Sequence, residues 1–341
     1  MNFVLITGGA GYIGSHTCLA LAQKGYQCLI VDNLCNSYIT AIDKIEQILG
    51  YRPRFFHGNI EDQDLLENIF AEFPIQAVLH FAGLKSVAES VTNPLLYYQN
   101  NIFSTLCLLR AMHKANVKVL VFSSSATVYG NTQTIPYQED CLRLPVNPYG
   151  KTKMIIEDIL TDLAYSEPDW KIACLRYFNP VGAHPNGLLG ENPKGVPTNL
   201  MPYMCKVAAG YYEKLNIFGN DYSTQDGTCI RDYIHVMDLA SGHVAALDHI
   251  QNHSGFLTLN LGTGHGVSVL ELVSSFEQAT NCKIPYIFSP RRNGDLPAYW
   301  ANTQKAKNLL NWTAKYNLQK MCIDSWNWEK LNQIKRLEIN A

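Results

Sequence analysis

The chain has 341 residues, 47% of them hydrophobic, and a formal net charge of -2, which gives it length for about two domains and ample apolar material for their cores. So small a charge supplies no basic field for nucleic acid or anionic membrane, and small molecules are the expected partners. No apolar run reaches the roughly 18 residues of a membrane span, and the start "MNFVLITGG" lacks the basic flank of a secretory signal, so a cytoplasmic protein is expected.

The first predicted strand, "FVLIT", runs into the turn "GGAGYIG" and then the helical pattern "SHTCLALAQKG". Gly8, Gly9, Gly11 and Gly14 satisfy Gly-x-Gly-x-x-Gly counted from Gly9, between a strand and a helix. There, bare backbone lets a pyrophosphate rest on helix N–H groups at the positive end of the dipole. The second strand, "QCLIVDN", ends in Asp32, 18 residues past Gly14. A carboxylate at that place accepts hydrogen bonds from ribose hydroxyls and repels a 2′-phosphate, which favours NAD over NADP. The runs "RFFHG", "AVLHFA", "KVLVFSS" and "KIACLRY" follow, near-continuously apolar and separated by helical patterns. They predict an α/β fold, a doubly wound parallel sheet of the Rossmann type with helices on both faces.

Residues 94 to 115 predict one long helix with Asn93 as N-cap, Pro94 at its first position, and Leu95, Ile102, Leu106 and Leu109 near helical spacing. The fifth strand ends in Ser123, Ser124 and Ser125, at the sheet edge where open parallel sheets bind ligands. A second helix is predicted from Asn147 and Pro148 to about Ala164, with Met154, Ile155, Ile159 and Leu160 as its packing stripe. Tyr149 and Lys153 lie one turn apart near its start. Tyr316 and Lys320 share the spacing but have neither caps nor strand-end hydroxyls nearby, and read as a packing pair. A phenol ordinarily titrates near pH 10, about three units too high for a base at neutrality. A nearby ammonium, a cationic nicotinamide and the helix dipole each lower it, which makes Tyr149 a usable general base.

After about residue 180 the Gly- and Pro-rich "FNPVGAHPNGLLGENPKGVP" predicts a long functional loop. The short runs "KLNIFG", "FLTLNLG" and "KIPYIF" then suggest a smaller C-terminal α/β domain. The expected division is residues 1–180 for NAD and 181–341 for substrate, with some interleaving of the chain. The ten cysteines include no Cys-x-x-Cys, and Cys28, Cys107 and Cys174 fall in apolar runs. They read as reduced, mostly buried thiols, and no metal site is expected.

Taken together, "TGGAGYIGS", "VDNLCNS", "HFAGLKSVAES", "FSSSATVYG", "PYGKTK", "LRYFNPVGAHP", "NLMPY", "RDYIHVMDLA" and "RRNGDLPAYWA" closely resemble the UDP-glucose 4-epimerase family of extended short-chain dehydrogenases/reductases, from Val4 to about Trp328. The resemblance implies interconversion of UDP-glucose and UDP-galactose. Tyr149 would be the base, Lys153 would bond the nicotinamide ribose, and Ser125 would bond the reacting hydroxyl. C4 of the hexose would give its hydrogen to NAD and, after the ketose turns over, take it back on the other face.

The resemblance also assigns NAD contacts to Gly8, Gly11, Tyr12, Ile13, Gly14, Asp32, Asn33, Asn36, Ser37, Asn59, Ile60, Phe81, Ala82, Gly83, Lys85, Asn100, Ser123 and Phe178. It places Arg231 and Arg292 on the substrate diphosphate, Asn199, Leu200 and Phe218 around uridine, Asp295 on its ribose, and Tyr177 and Asn179 near the sugar and diphosphate. Lys85, Ala126, Thr127 and Tyr233 complete the implied substrate contacts. A bulky Tyr299 implies little room beside C2 and poor use of N-acetylated sugars. Asn59 departs from the family's usual Asp; an amide oxygen can still accept from the adenine amino group, without charge, so a weaker adenine contact is expected.

Dehydratases of this fold carry an Asp-Glu pair where this chain has Ala126 and Thr127, neither of which ionises, so elimination is not expected. Decarboxylases and other nucleotide-sugar epimerases share the fold, and a non-catalytic NAD sensor would have no reason to keep the serine, tyrosine and lysine together with two arginines for a diphosphate. A homodimer through the helices starting near residues 94 and 148 is expected from the resemblance.

Overall fold

Strands buried on both faces need apolar side chains at every position, and the continuous runs of the first half supply them. The structure, a computed structural model, describes residues 2–131, 135–292 and 294–339. Strands β1 (Phe3–Thr7), β2 (Gln27–Asp32), β3 (Arg54–His57), β4 (Ile75–His80), β5 (Val119–Ser125) and β6 (Lys171–Tyr177) join a seventh, Gly255–Leu261, in one sheet. Its order is seventh strand, β6, β5, β4, β1, β2, β3, with every pairing parallel. Val4 and Ile6 face a core shared with Leu19, Ile42, Leu239 and Leu247, whereas Leu5 faces the opposite core of Leu66, Leu108, Met112 and Leu160. Each such side chain contributes about 1.5–3 kcal/mol on burial. Because β2 and β4 flank β1 on opposite sides, the strand order reverses there, and a crevice opens beyond the carboxyl ends of β1 and β4.

The run "FLTLNLG", expected in the smaller C-terminal domain, is instead the edge strand of the main sheet and pairs with β6 along its whole length. It satisfies backbone groups that β6 would otherwise leave open. The helix before it, Val236–Ile250, packs against the helix Tyr12–Gln23. The remaining C-terminal elements form small sheets: Asn179–Val181 pairs with Tyr233–His235, Leu215–Phe218 pairs with Tyr286–Ser289, and Ile230–Arg231 lies between Val267–Ser268 and Ala298–Tyr299. Met204, Leu272, Phe276 and Met321 fill the core beneath their helices.

The helix expected over residues 94–115 is present but not uniform. An opening turn, Pro94–Tyr97, passes into a π-helical turn, Tyr98–Phe103, before regular helix resumes over Ser104–Lys114. Such wide turns concentrate at functional sites. Here the turn sets buried Asn101 inward, where its amide brackets the Leu84 backbone (2.8 and 3.0 Å) and reaches the Thr152 hydroxyl at 3.1 Å. Asn93 does not cap this helix with its side chain; it closes the preceding helix, Val87–Thr92, whose last turn fixes it at the junction.

The helix Pro148–Ser166 begins as expected, with Asn147 accepting from the Gly150 N–H at 2.8 Å. Its inward face differs from the expected stripe and runs Thr152, Lys153, Ile156, Glu157, Leu160 and Ala164. All ten cysteines are free, Cys35 being the exposed one. Among the described residues, no helix is long and apolar enough to cross a membrane.

Candidate active site

At the crevice the glycine turn is pressed against the segment that follows β4. Gly8 has φ +71°, and a Cβ there would stand 2.7 Å from the Ala82 nitrogen; one at Gly14 would stand 2.4 Å from the Gly8 oxygen. Neither position admits a side chain, so the backbone itself forms the floor of a cradle. Gly11 precedes the helix Tyr12–Gln23 without capping it through a side chain, so the first N–H groups are left for an anion. Asp32 is buried beside the turn, accepting from Ala10 N (3.0 Å), Leu34 N (2.8 Å) and the Ser37 hydroxyl (2.9 Å). These bonds fix the carboxylate and leave lone pairs for ribose hydroxyls. A dinucleotide pyrophosphate and ribose therefore fit the residues present.

Ser125, Tyr149 and Lys153 meet where the two halves of the chain join. Lys153 is buried and donates to the Ser123 carbonyl at 2.7 Å, with its ammonium 5.9 Å from the Tyr149 ring centre. Burial lowers its pKa to about 8. Burial also pushes the Tyr149 phenol up to about 12, while the hydrogen bond with Ser125 pulls it down and Tyr299 pushes it up. The expected acidic phenol is thus not a property of these side chains alone. Desolvation outweighs the Ser125 hydrogen bond that lowers it.

On the far side, Arg231 and Arg292 converge on Asp295, at 3.7 and 2.9 Å. The Arg231 guanidinium lies over Tyr299 (4.5 Å) and that of Arg292 over Phe218 (4.8 Å). Two aromatic platforms and one carboxylate therefore hold two guanidiniums side by side, an arrangement suited to a diphosphate. The Tyr299 hydroxyl donates to the Asn179 amide oxygen at 3.2 Å, and Tyr177 is bonded to Ser123.

Every residue implied above as a cofactor or substrate contact borders one continuous cleft of about 1910 Å³. A single small-molecule site is usually about 300–1,000 Å³, so this cleft has room for two ligands. Tyr316 and Lys320 lie elsewhere: Tyr316 stacks on His235 (4.3 Å) and Lys320 pairs with Asp324 (2.8 Å).

Some contacts were not anticipated. Glu191, in the long loop, takes both Lys85 (3.0 Å) and Asn199 (2.8 Å) on one carboxylate oxygen. Lys194 of the same loop reaches across to the Leu34 carbonyl at 2.6 Å. The Asn59 oxygen, expected to be available to adenine, accepts from the Asn33 amide at 2.7 Å instead. Behind Lys153, the buried Glu157 accepts two bonds from Arg176 (2.9 and 2.6 Å), one from Arg143 (3.3 Å) and one from Ser124 (2.5 Å). Glu157 stands four residues after Lys153, and that spacing is the one sequence signal that places it on the inward face.

A Rossmann-type sheet carrying a glycine cradle, Asp32 and a Ser–Tyr–Lys set at its strand ends, joined to a second half with a paired-arginine site, defines an extended short-chain dehydrogenase/reductase. The family model described as GDP-mannose 4,6 dehydratase matches residues 5–325. The chain is 53% identical to the UDP-glucose 4-epimerase of Yersinia pestis over 97% of its own length and 98% of that protein's, and 51% identical to that of Bacillus subtilis, covering 96% and 97%. The UDP-glucose-4-epimerase of Stenotrophomonas maltophila, solved with bound NAD and formylated UDP-arabinopyranose, superposes with a TM-score of 0.96 at 49% identity, covering 98% of this chain and 99% of that one. That of Bifidobacterium longum, solved with NAD+ and UDP, gives 0.95 at 50% identity, covering 97% and 99%. The chain belongs to the UDP-glucose 4-epimerase family.

Proposed function

We propose that the protein interconverts UDP-glucose and UDP-galactose with NAD as resident cofactor. The observation that carries this reading is the single cleft, which the glycine turn, Asp32, Ser125, Tyr149, Lys153, Arg231 and Arg292 all border. Bound NAD supplies a reversible acceptor for the hydrogen on C4 of the hexose and the positive charge that the phenol lacks. Tyr149 takes and returns the proton of the 4-hydroxyl, Ser125 orients that hydroxyl, and Lys153 holds the nicotinamide ribose. Arg231 and Arg292 anchor the diphosphate, with Asp295 released towards the uridine ribose, while Asn199, Leu200 and Phe218 enclose the base. The nucleotide is gripped and the hexose is left free to turn. Residues 1–180, with the strand Gly255–Leu261, form the NAD half, and most of the remainder forms the substrate half. Protein purified without added nucleotide and given UDP-galactose is expected to form UDP-glucose; no conversion would overturn the reading. Since Ala126 and Thr127 cannot ionise, no loss of water should accompany it.

Tyr299 stands against Asn179 and Arg231, and with the hexose beside it on this reading its ring would leave little room for an N-acetyl group. The protein should use UDP-N-acetylglucosamine poorly, and Tyr299→Ser should raise kcat/KM for that sugar by about tenfold relative to UDP-glucose. Equal use of both sugars by the unsubstituted protein would contradict this role.

The helices Pro94–Lys114 and Pro148–Ser166 leave Leu95 79% and Tyr165 89% exposed, with Phe103 also on the surface. We assign this apolar surface to a homodimer through those helices. Sedimentation at micromolar concentration should give twice 38.3 kDa; a monomer alone would rule the assignment out.

A further inference from the structure

The cleft continues past Asp32 between the loop after β2 and the loop after β3, where Asn33, Asn59, Ile60 and Glu61 border it. With the adenosine ribose at Asp32, this arm is where the adenine lies. The orientation of both amides there is fixed by a chain of bonds. Cys35 N donates to the Asn33 oxygen at 3.0 Å, so Asn33 turns its nitrogen towards Asn59 and donates to the Asn59 oxygen at 2.7 Å. Asn59 then offers the cleft its amide nitrogen, which has no acceptor among the described residues. Its backbone is held as well, since the Asn59 carbonyl accepts from Asp62 N at 3.1 Å.

We infer that Asn59 makes the dinucleotide site indifferent to the 6-amino group of adenine, because it meets the base with a donor where recognition of an amino group needs an acceptor. An amide N–H suits the ring nitrogens that any purine carries. A carboxylate at the same place would satisfy Asn33 with one oxygen and the amino group with the other. Asn59→Asp therefore creates the selectivity that the protein lacks.

The inference rests on the NAD reading above. Its test compares NAD with nicotinamide purine dinucleotide, which lacks only the amino group. Protein is exchanged against an excess equimolar mixture; protein that does not exchange is refolded from urea in the same mixture. The bound ratio is then read by chromatography. The unsubstituted protein should hold the two within about threefold of equality, and Asn59→Asp should favour NAD by about tenfold or more. A tenfold preference in the unsubstituted protein, including one removed by Glu61→Gln, overturns the inference, as does an unchanged ratio in Asn59→Asp. Failure to retain either dinucleotide would instead strike the NAD reading.

Discussion

Replacing Tyr149 with phenylalanine is expected to lower turnover of UDP-galactose by about 10²–10⁴-fold, the range that a positioned acid/base contributes, while NAD stays bound. The variant keeps the ring that borders the cleft and loses only the hydroxyl bonded to Ser125. Retained nucleotide, measured by absorbance after denaturation, separates lost chemistry from a lost site. A loss below about tenfold would mean that another group moves the proton. The effect should fall on kcat, because Arg231 and Arg292, proposed to hold the diphosphate, are untouched.

Glu157→Ala is expected to destabilise the fold by about 3–5 kcal/mol, read as a lower urea midpoint with an unchanged slope. Both partners of the Glu157–Arg176 pair are almost fully buried, and Arg176 bonds both carboxylate oxygens. Removing the carboxylate leaves a guanidinium desolvated and without its anion, which costs more than the pair itself contributes. Replacing Glu157 and Arg176 together with methionine should restore most of the stability, since a filled apolar site often equals a buried pair. A loss under about 1 kcal/mol in the single variant would show that the buried guanidinium does not depend on this carboxylate.

The parts of the site set by short-range spacing were legible from the residues. Gly8 and Gly14 follow from one strand–turn–helix and Asp32 from the end of the strand after it, and Tyr149 with Lys153 from one capped turn. Parts set by contacts between distant segments were not. Glu157 meets Arg176 from another element 19 residues on, and Glu191 gathers Lys85 from 106 residues away. Spacing also does not report depth of burial, which among these side chains is the largest effect on the Tyr149 phenol. The π-helical turn escaped because one wide turn barely disturbs apolar periodicity, although it decides that Asn101 faces inward. "FLTLNLG" was misplaced because an edge strand of a large sheet and a strand of a small one share the same pattern; only the open flank of β6 distinguishes them.

That returning strand limits how the enzyme can move. The polypeptide leaves the main sheet after β6, contributes strands to the small sheets, and is then stitched back beside the strand it left. The seam lies wholly within the main sheet, so any movement of the small sheets against it must be taken up where the chain crosses between them, after β6 and again after Gly255–Leu261.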